Sequence, residues 1–250
     1  MAETLIIADL HLAKPDPRTL ALLDTFLERA KDAEAVYLLG DLFDYWIGDD
    51  QPLDPAIAER LERFASLPGP VTFQSGNRDF LVGNALLERL GAKRLPDQFV
   101  LEHGGRRLLL THGDELCVDD PAYQAMRAQL RDPAFVRDFL ARSLEERIAI
   151  AEGLRSKSKT ASSSKPEDIM DVNAAAVEEI LERTGADGLI HGHTHRPAIH
   201  RLDGGRPRVV TGDWGESGWL VALEGDGLTL ERFTPEATEI MATWPPGKET

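Results

Sequence analysis

The chain is poor in cysteine, in basic residues and in long apolar runs. A single cysteine, Cys117, in 250 residues excludes a disulfide framework within the chain and fits a reducing compartment. Asp and Glu outnumber Lys and Arg by 43 to 28, and a net charge of −15 argues against non-specific nucleic-acid binding, which needs a basic face. No uncharged apolar stretch approaches the roughly 20 residues that span a bilayer. The first residues run at once into Thr4-Leu5-Ile6-Ile7-Ala8, with no basic region and no small-residue cleavage site before them, so no signal peptide is expected. No heptad pattern is sustained, and a monomer is the expectation.

What remains is an ordinary soluble composition. At 250 residues and 42% hydrophobic content the chain can bury one substantial core with room for an insertion. The apolar stretches Thr4 to Ala8, Ala35 to Leu39 and Val71 to Phe73 read as buried strands, separated by helical stripes at Leu20, Leu23, Leu27, Ala30 and at Ile57, Leu61, Phe64. Phe99-Val100-Leu101 and Leu108-Leu109-Leu110 flank Gly104-Gly105 as a hairpin. Between Pro121 and Lys165 nine basic residues face five acidic ones, a local +4 against −19 elsewhere. Phe135, Phe139, Leu140, Leu144, Ile148 and Ala151 recur there at helical spacing, followed by a loop from Ser156 to Lys165. The segment reads as helices and a mobile loop inserted into an α/β core. A helix carrying Val172, Ala176, Ile180 and Thr184 returns the chain to the strand Gly188-Leu189-Ile190. The remainder reads as a meander of strands at 198–202, 208–211, 219–223 and 228–233, with a frayed tail from about 236. The domain expectation is one discontinuous core, 1–120 and 166–235, a helical lid at 121–165, and a tail at 236–250.

Five polar clusters each follow an apolar strand: Asp9 with His11, Asp41, Asn77, His112, and His193 with His195. Each has a plain structural reading alone. Asp9 and Asp41 are acceptable helix caps, Asn77 suits an Asx turn, and His112 suits a hydrogen-bonded turn. Together, and each at a strand end where α/β proteins gather ligands, they point to a metal centre. Carboxylate, amide oxygen and imidazole suit Mn, Fe or Zn, whereas an all-oxygen set suits Mg or Ca. Seven ligands are too many for one tetrahedral ion and suit two ions sharing a carboxylate. His103 and His200 belong to no motif and read as surface residues, and His191 carries no assigned role.

The stretches Asp9-Leu10-His11, Gly40-Asp41, Gly76-Asn77-Arg78-Asp79, His112-Gly113-Asp114 and Gly192-His193-Thr194-His195 resemble the metal-binding motifs of calcineurin-like metallophosphoesterases. The resemblance implies an α/β fold: a two-sheet β-sandwich core flanked by helices, here with the inserted helical lid. It implies that Asp9, His11 and His195 hold one ion, that Asn77, His112 and His193 hold the other, and that Asp41 bridges. Two ions about 3.5–4 Å apart lower the pKa of water towards 7 and supply a hydroxide that attacks phosphorus in line. Asp41, Asn77, Arg78 and His112 are the residues the resemblance makes catalytic. Arg78 stands where many protein phosphatases of the group carry a histidine that protonates an alkoxide leaving group. An arginine does not release its proton, yet it pairs well with phosphate oxygens. The chain is therefore expected to split a pyrophosphate, whose leaving group needs little protonation, rather than an alkyl phosphate ester.

A closer resemblance lies in residues 40–50, in 112–117 with 119–123, and in Ile169-Met170-Asp171-Val172-Asn173, which are similar to the UDP-2,3-diacylglucosamine hydrolase family of lipid A biosynthesis. That family cleaves a lipid-linked nucleotide sugar to UMP and 2,3-diacylglucosamine 1-phosphate, usually with manganese, at the cytoplasmic surface of the bacterial inner membrane. It implies substrate contacts from Asn77, Arg78, Asp120, Ser158, Ser162, Lys165 and His193, with Ser162 where relatives commonly carry asparagine. The alternatives are a metallophosphoesterase for a soluble nucleotide or phosphodiester, and a catalytically dead scaffold. All seven ligand positions are filled, which argues against the scaffold.

Overall fold

Helix starts along this chain share one device. Asp16-Pro17, Asp54-Pro55, Asp120-Pro121 and Asp132-Pro133 each place an aspartate whose carboxylate accepts a backbone N–H of the first turn, followed by a proline that needs no such partner. The computed structural model describes residues 3–162, 169 and 171–245, with 157–162 described in backbone only.

In the first sheet β1 (Thr4–Ile7), β2 (Ala35–Leu38), β3 (Val71–Phe73) and β4 (Ala92–Arg94) run parallel. They are joined by α1 (Pro17–Ala30), α2 (Pro55–Phe64) and α3 (Asn84–Leu90). The second sheet contains the hairpin β5 (Phe99–His103) and β6 (Arg106–Leu110), then β7 (Gly188–His191), β8 (Ala198–Arg201) and β9 (Pro207–Val210), in the order β5-β6-β7-β9-β8. An antiparallel run of β10 (Gly218–Glu224), β11 (Gly227–Phe233) and β12 (Thr238–Trp244) rejoins the first sheet, giving β12-β11-β10-β1-β2-β3-β4.

The period of two along each strand sorts side chains into layers. Ile6 and Ala8 face Leu108, Leu110, Ile190 and Val209 between the sheets. Leu5 and Ile7 point the other way, onto Phe26, Phe64 and Phe73 beneath α1 and α2. Leu109 and Leu189 pack outward on α7 (Ala174–Thr184) through Val177 and Leu181. With both faces of each central strand covered, the strands read as unbroken apolar runs. Their polar carboxyl ends are what the sandwich leaves for chemistry.

The insertion comprises α4 (Pro121–Leu130), α5 (Pro133–Leu140) and α6 (Leu144–Ser162). It has no core of its own: α4 buries no side chain and α5 buries only Phe139.

Several expectations are corrected. The tail is not frayed up to Trp244, because β12 pairs with β11 through a register shift at Leu230/Glu231, and Ala242 and Trp244 pack on the inter-sheet core. The C-terminal strands are not one meander; β8 and β9 belong to the second sheet, where β9 runs parallel to β7. Helix α6 runs through Ser162 instead of giving way to a loop at Ser156. Val172 precedes α7, whose cap is Asn173. His103 is half-buried, with its Nε2 buried, rather than a surface residue, whereas His200 is exposed.

One buried charge holds α1 against the first sheet. Arg29 donates from Nη1 to Glu231 Oε2 at 2.5 Å and from Nη2 to Glu3 Oε2 at 2.7 Å. Burial pushes the Glu231 carboxyl up, but the Arg29 hydrogen bond outweighs it and holds the group below its usual value. A lowered folded pKa adds stability that is fully present above the unfolded value of about 4.3 and is lost as pH falls from there through the folded value. Arg29→Met is therefore expected to lower the unfolding free energy by about 2 kcal/mol at pH 7. The gap should narrow below about pH 4, as read by urea denaturation across pH.

Candidate metal centre

Among the described residues, the non-glycine positions with positive φ are Asp9 (58°), His11 (50°), Asp41 (52°), His193 (65°) and His195 (54°). A left-handed L-residue costs roughly 1–2 kcal/mol and persists only where its surroundings over-determine it. All five belong to the ligand set expected from the motifs. Each sits just past a strand, where the left-handed turn ends the ladder and keeps the side chain at the carboxyl edge.

The loops are then laced sideways. Asp9 N–H donates to Gly40 C=O at 3.1 Å, His11 N–H to Asp41 C=O at 3.0 Å, and Gly192 N–H to His112 C=O at 3.0 Å. The sheets are joined when His193 N–H donates to Asp9 Oδ2 at 2.9 Å. Glycines allow the approach. A Cβ on Gly76 would lie 2.1 Å from Asp41 Oδ1, and one on Gly192 would lie 2.2 Å from Asp9 Oδ2.

Two clusters result. His11 Nε2 and His195 Nε2 lie 3.1 Å apart, and Asp9 Oδ1 is 3.4 Å from the latter. Asn77 Oδ1 lies 3.0 Å from His112 Nε2 and 2.8 Å from His193 Nδ1. Asp41 Oδ2 is 3.6 Å from His112 Nε2, while its Oδ1 accepts the Arg78 N–H at 2.8 Å. Asp9, His11 and His195 present ligand atoms close enough to share an ion, as do Asp9, Asp41 and His112, so Asp9 is common to both groups. With metal–ligand bonds of about 2.1 Å, neighbouring donor atoms stand about 3.0–3.4 Å apart.

The donors are prepared for a cation. Asp9 Oδ1 is buried without a hydrogen-bond partner. Burial pushes the His11 and His193 imidazoles down to about 3 and about 4, with Arg78 and His112 respectively adding to the effect, so both are neutral and able to ligate. His112 Nδ1 bonds the Leu39 carbonyl at 2.8 Å and turns Nε2 towards the cluster. Burial opposes its charge, but Asp41 and Asp9 pull the imidazole up to about 9. Burial drives the Asp41 carboxyl well above the carboxylate range, with Asp79 and Asp9 repelling its charge. Buried carboxylates that raise both the His112 imidazole and the Asp41 carboxyl make a site that favours added positive charge. The residues fit a divalent ion.

Other expected residues fall into place around it. Asp79 is buried and ties two loops by accepting from Leu42 N–H at 2.7 Å and Gly76 N–H at 2.8 Å. His191 lies under the His112-Gly113 turn, where a Cβ on Gly113 would meet its Nδ1 at 2.9 Å, and it joins no ligand group. Asp120 caps α4 and lines the polar pocket. The side chains of Ser158 and Ser162 on α6, and the whole of Lys165, lie outside the described residues.

The residues that join the insertion to this centre are mostly basic ones whose partners in the core the sequence does not reveal. Arg127 Nε donates to buried Asp114 Oδ2 at 2.6 Å, and Arg131 Nη2 donates to Gly76 C=O at 3.0 Å. The Tyr123 ring packs 5.8 Å from that of His193. Arg147 reaches Ile47 C=O at 2.6 Å and Asp50 Oδ1 at 2.8 Å. The basic excess of 121–165 was the only signal for them in the sequence. Between the insertion and the core runs a groove of about 490 Å³, lined by Phe80, Met126, Leu130, Phe135, Phe139 and Leu154 among others. It meets a polar pocket of about 300 Å³ at Asn77, Arg78 and Tyr123.

The model of the calcineurin-like phosphoesterase family matches residues 3–197. The chain belongs to that family. UDP-2,3-diacylglucosamine hydrolase from Xanthomonas oryzae pv. oryzae is 46% identical to this phosphoesterase over 246 residues, covering 92% of this chain and 98% of that protein. The protein of the same name from Stenotrophomonas maltophilia is 45% identical, covering 93% and 99%. Vacuolar protein sorting 29 from Cryptosporidium parvum shares the fold at a TM-score of 0.51 and 18% identity, covering 97% of this phosphoesterase and 96% of that chain.

Two outcomes are expected of the phosphoesterase. Burial and neighbouring carboxylates raise Asp41 and His112, so a divalent ion competes with protons there and apparent affinity should rise between pH 6 and 9. Calorimetry in buffers of different ionisation enthalpy should count about one proton released per chain. Gly192→Ala, which drives a methyl into the Asp9 carboxylate, should weaken metal binding at least about tenfold by the same measurement.

Proposed function

We propose that the protein hydrolyses the pyrophosphate of UDP-2,3-diacylglucosamine, giving UMP and 2,3-diacylglucosamine 1-phosphate in lipid A biosynthesis. The observation that carries this reading is the joining of an apolar groove to the polar metal pocket at Arg78, Asn77 and Tyr123. A lipid-linked nucleotide sugar has the same division, acyl chains on one side of a pyrophosphate and a nucleotide on the other. The two hydrolases of that name, similar over more than nine-tenths of their length, support the same substrate.

Asp9, His11 and His195 would hold one ion and Asn77, His112 and His193 the other, with Asp41 between them; the mixed oxygen and imidazole set suits Mn, Fe or Zn, and manganese is the choice that the family resemblance implies. Such a pair supplies a nucleophile from water at neutral pH and neutralises charge on phosphorus. The chain's own residues do the rest. Arg78, whose Nε lies 3.3 Å from Asp41 Oδ2, is placed to pair with phosphate oxygens as charge builds on them. A phosphate leaving group departs without a proton donor, and arginine supplies none. Asn77 Oδ1 stands 3.0 Å from His112 Nε2 and 2.8 Å from His193 Nδ1, a spacing suited to three ligands of one ion, and Asp120, Ser158, Ser162, Lys165 and His193 would complete the substrate contacts.

Residues 121–165 act as a lid on the core formed by 1–120 and 166–235, which β12 extends to Trp244. The lid's half-buried Phe135, Met126 and Leu130 cover acyl chains and exclude water. The substrate's chains keep it in a bilayer, and among the described residues no helix is long and apolar enough to cross one. A peripheral monomer on the cytoplasmic face of the inner membrane completes the proposal, as the family resemblance implies, with exposed Leu140 beside the groove residue Phe139.

The test is product identification with UDP-2,3-diacylglucosamine and manganese, beside Asp41→Ala. Release of UMP and the lipid monophosphate by the wild type, falling at least about a thousandfold in the variant, is expected. Turnover of alkyl phosphomonoesters at a comparable rate would overturn the pyrophosphate assignment.

A further inference from the structure

We infer that Asp44 is a positioning residue: one buried carboxylate holds Arg78 of the metal-bearing loop and Arg155 of the inserted α6, and sets both guanidiniums where the groove meets the metal pocket. The inference rests on the pyrophosphohydrolase reading above and names a further determinant of how that substrate is held.

Asp44 is 8% exposed and lies in the loop after β2. Its N–H donates to Leu12 C=O at 3.1 Å, so the carboxylate rides on backbone tied to the Asp9–His11 loop. Oδ1 accepts from Arg78 Nη1 at 2.7 Å, and Oδ2 pairs with Arg155 Nη1 at 2.5 Å. Two guanidiniums brought this near one another repel, and the carboxylate between them removes that cost. Each guanidinium carries five N–H donors, and Asp44 engages one nitrogen of each. Arg78 keeps its Nε 3.3 Å from Asp41, so the three residues form a chain from the metal cluster to the insertion.

The arrangement differs from the other charged contact of α6. Arg147 is 3% exposed and bonded to Ile47 C=O and to Asp50, whose own side chain is 61% exposed and lies outside the groove lining. Arg155 stands eight residues further on, about 12 Å along the helix, and its side chain is 56% exposed. The Asp44 end is therefore the one that a ligand in the groove reaches, since Asp44, Arg78 and Arg155 all line it. A doubly charged pyrophosphate arriving there meets two arginines already aimed, which spares the cost of ordering them. Loss of the Asp44 charge would leave Arg78 paired with Asp41 alone and would free α6 at one end.

The test compares metal-loaded wild type, Asp44→Asn, Arg155→Met and the double variant by kcat and KM on UDP-2,3-diacylglucosamine. Hydrogen exchange of residues 144–156 is followed alongside, without substrate. Asp44→Asn should lower kcat/KM about thirtyfold, chiefly through KM, and Arg155→Met about tenfold. The double variant should be no worse than Asp44→Asn within about twofold, because both changes break one unit. Asp44→Glu should restore most of the loss, and exchange in α6 should quicken about tenfold in Asp44→Asn. Independent, multiplying losses would overturn the inference, as would unchanged exchange. If Asp44→Asn fails to fold, Arg155→Met decides alone: a raised KM with faster α6 exchange supports the inference, and wild-type values sink it. Should the wild type leave this lipid uncleaved, the substrate reading falls, while the exchange data still decide whether Asp44 holds α6.

Discussion

A buried negative centre that the two sheets share is what the rest of this structure depends on. Asp9 leaves the first sheet and accepts the N–H of His193 from the second, so one carboxylate couples the layers before any metal arrives. Five left-handed side-chain-bearing residues and several buried carboxylates are crowded into the same place. Such a site is unfavourable in isolation. It is offset by two extensive apolar layers around β1, where Leu5, Ile6 and Ile7 are fully buried. The glycines beside Asp9 and Asp41 belong to the same constraint, since any side chain there would occupy the carboxylates' space.

The insertion obeys different physics. With almost no side chains buried in α4 and α5, it cannot rest on a core of its own. Its place is set by arginines: Arg127 on Asp114, Arg131 on Gly76, Arg147 on Asp50 and Arg155 on Asp44. Every one of these partners lies in a loop that leads to or from the metal ligands. Phe139 and the half-buried Phe135, Val136, Leu144 and Ile148 also pack on the core beneath the first sheet, but a segment with so little full burial opens at lower free energy than core strands. That suits a cover that must admit a long apolar ligand beside a rigid metal centre.

The candidate ligands were legible because metal chemistry restricts residue type and because strand ends bring such residues together. Asp9, His11, Asp41, Asn77, His112, His193 and His195 were all readable, and all lie in the two clusters or on their edges. The arginine contacts were not, since a basic residue on a helix does not reveal its partner. Asp44 lay within the quoted 40–50 stretch, yet nothing local told it apart from Asp49, which caps α3 by accepting from Gly83 and Ala85 N–H. β12 was missed because Pro245, Pro246 and Gly247 dominate the reading of the tail. Ala242 and Trp244 face the inter-sheet core while Ile240, across the register shift, is 60% exposed, so no simple alternation marks this strand.

The sequence by itself determined the α/β class, the buried strands, the inserted helices and the residues able to bind metal, because period, capping and ligand chemistry are local properties. Only the tertiary structure decided which sheet each C-terminal strand joins, and that β9 lies parallel to β7 while β10 lies against β1. It alone decided that Asp9 is common to both ligand groups and that Asp44 stands between Arg78 and Arg155. Those outcomes turn on distances between segments far apart in the chain, and no pattern within a segment encodes them.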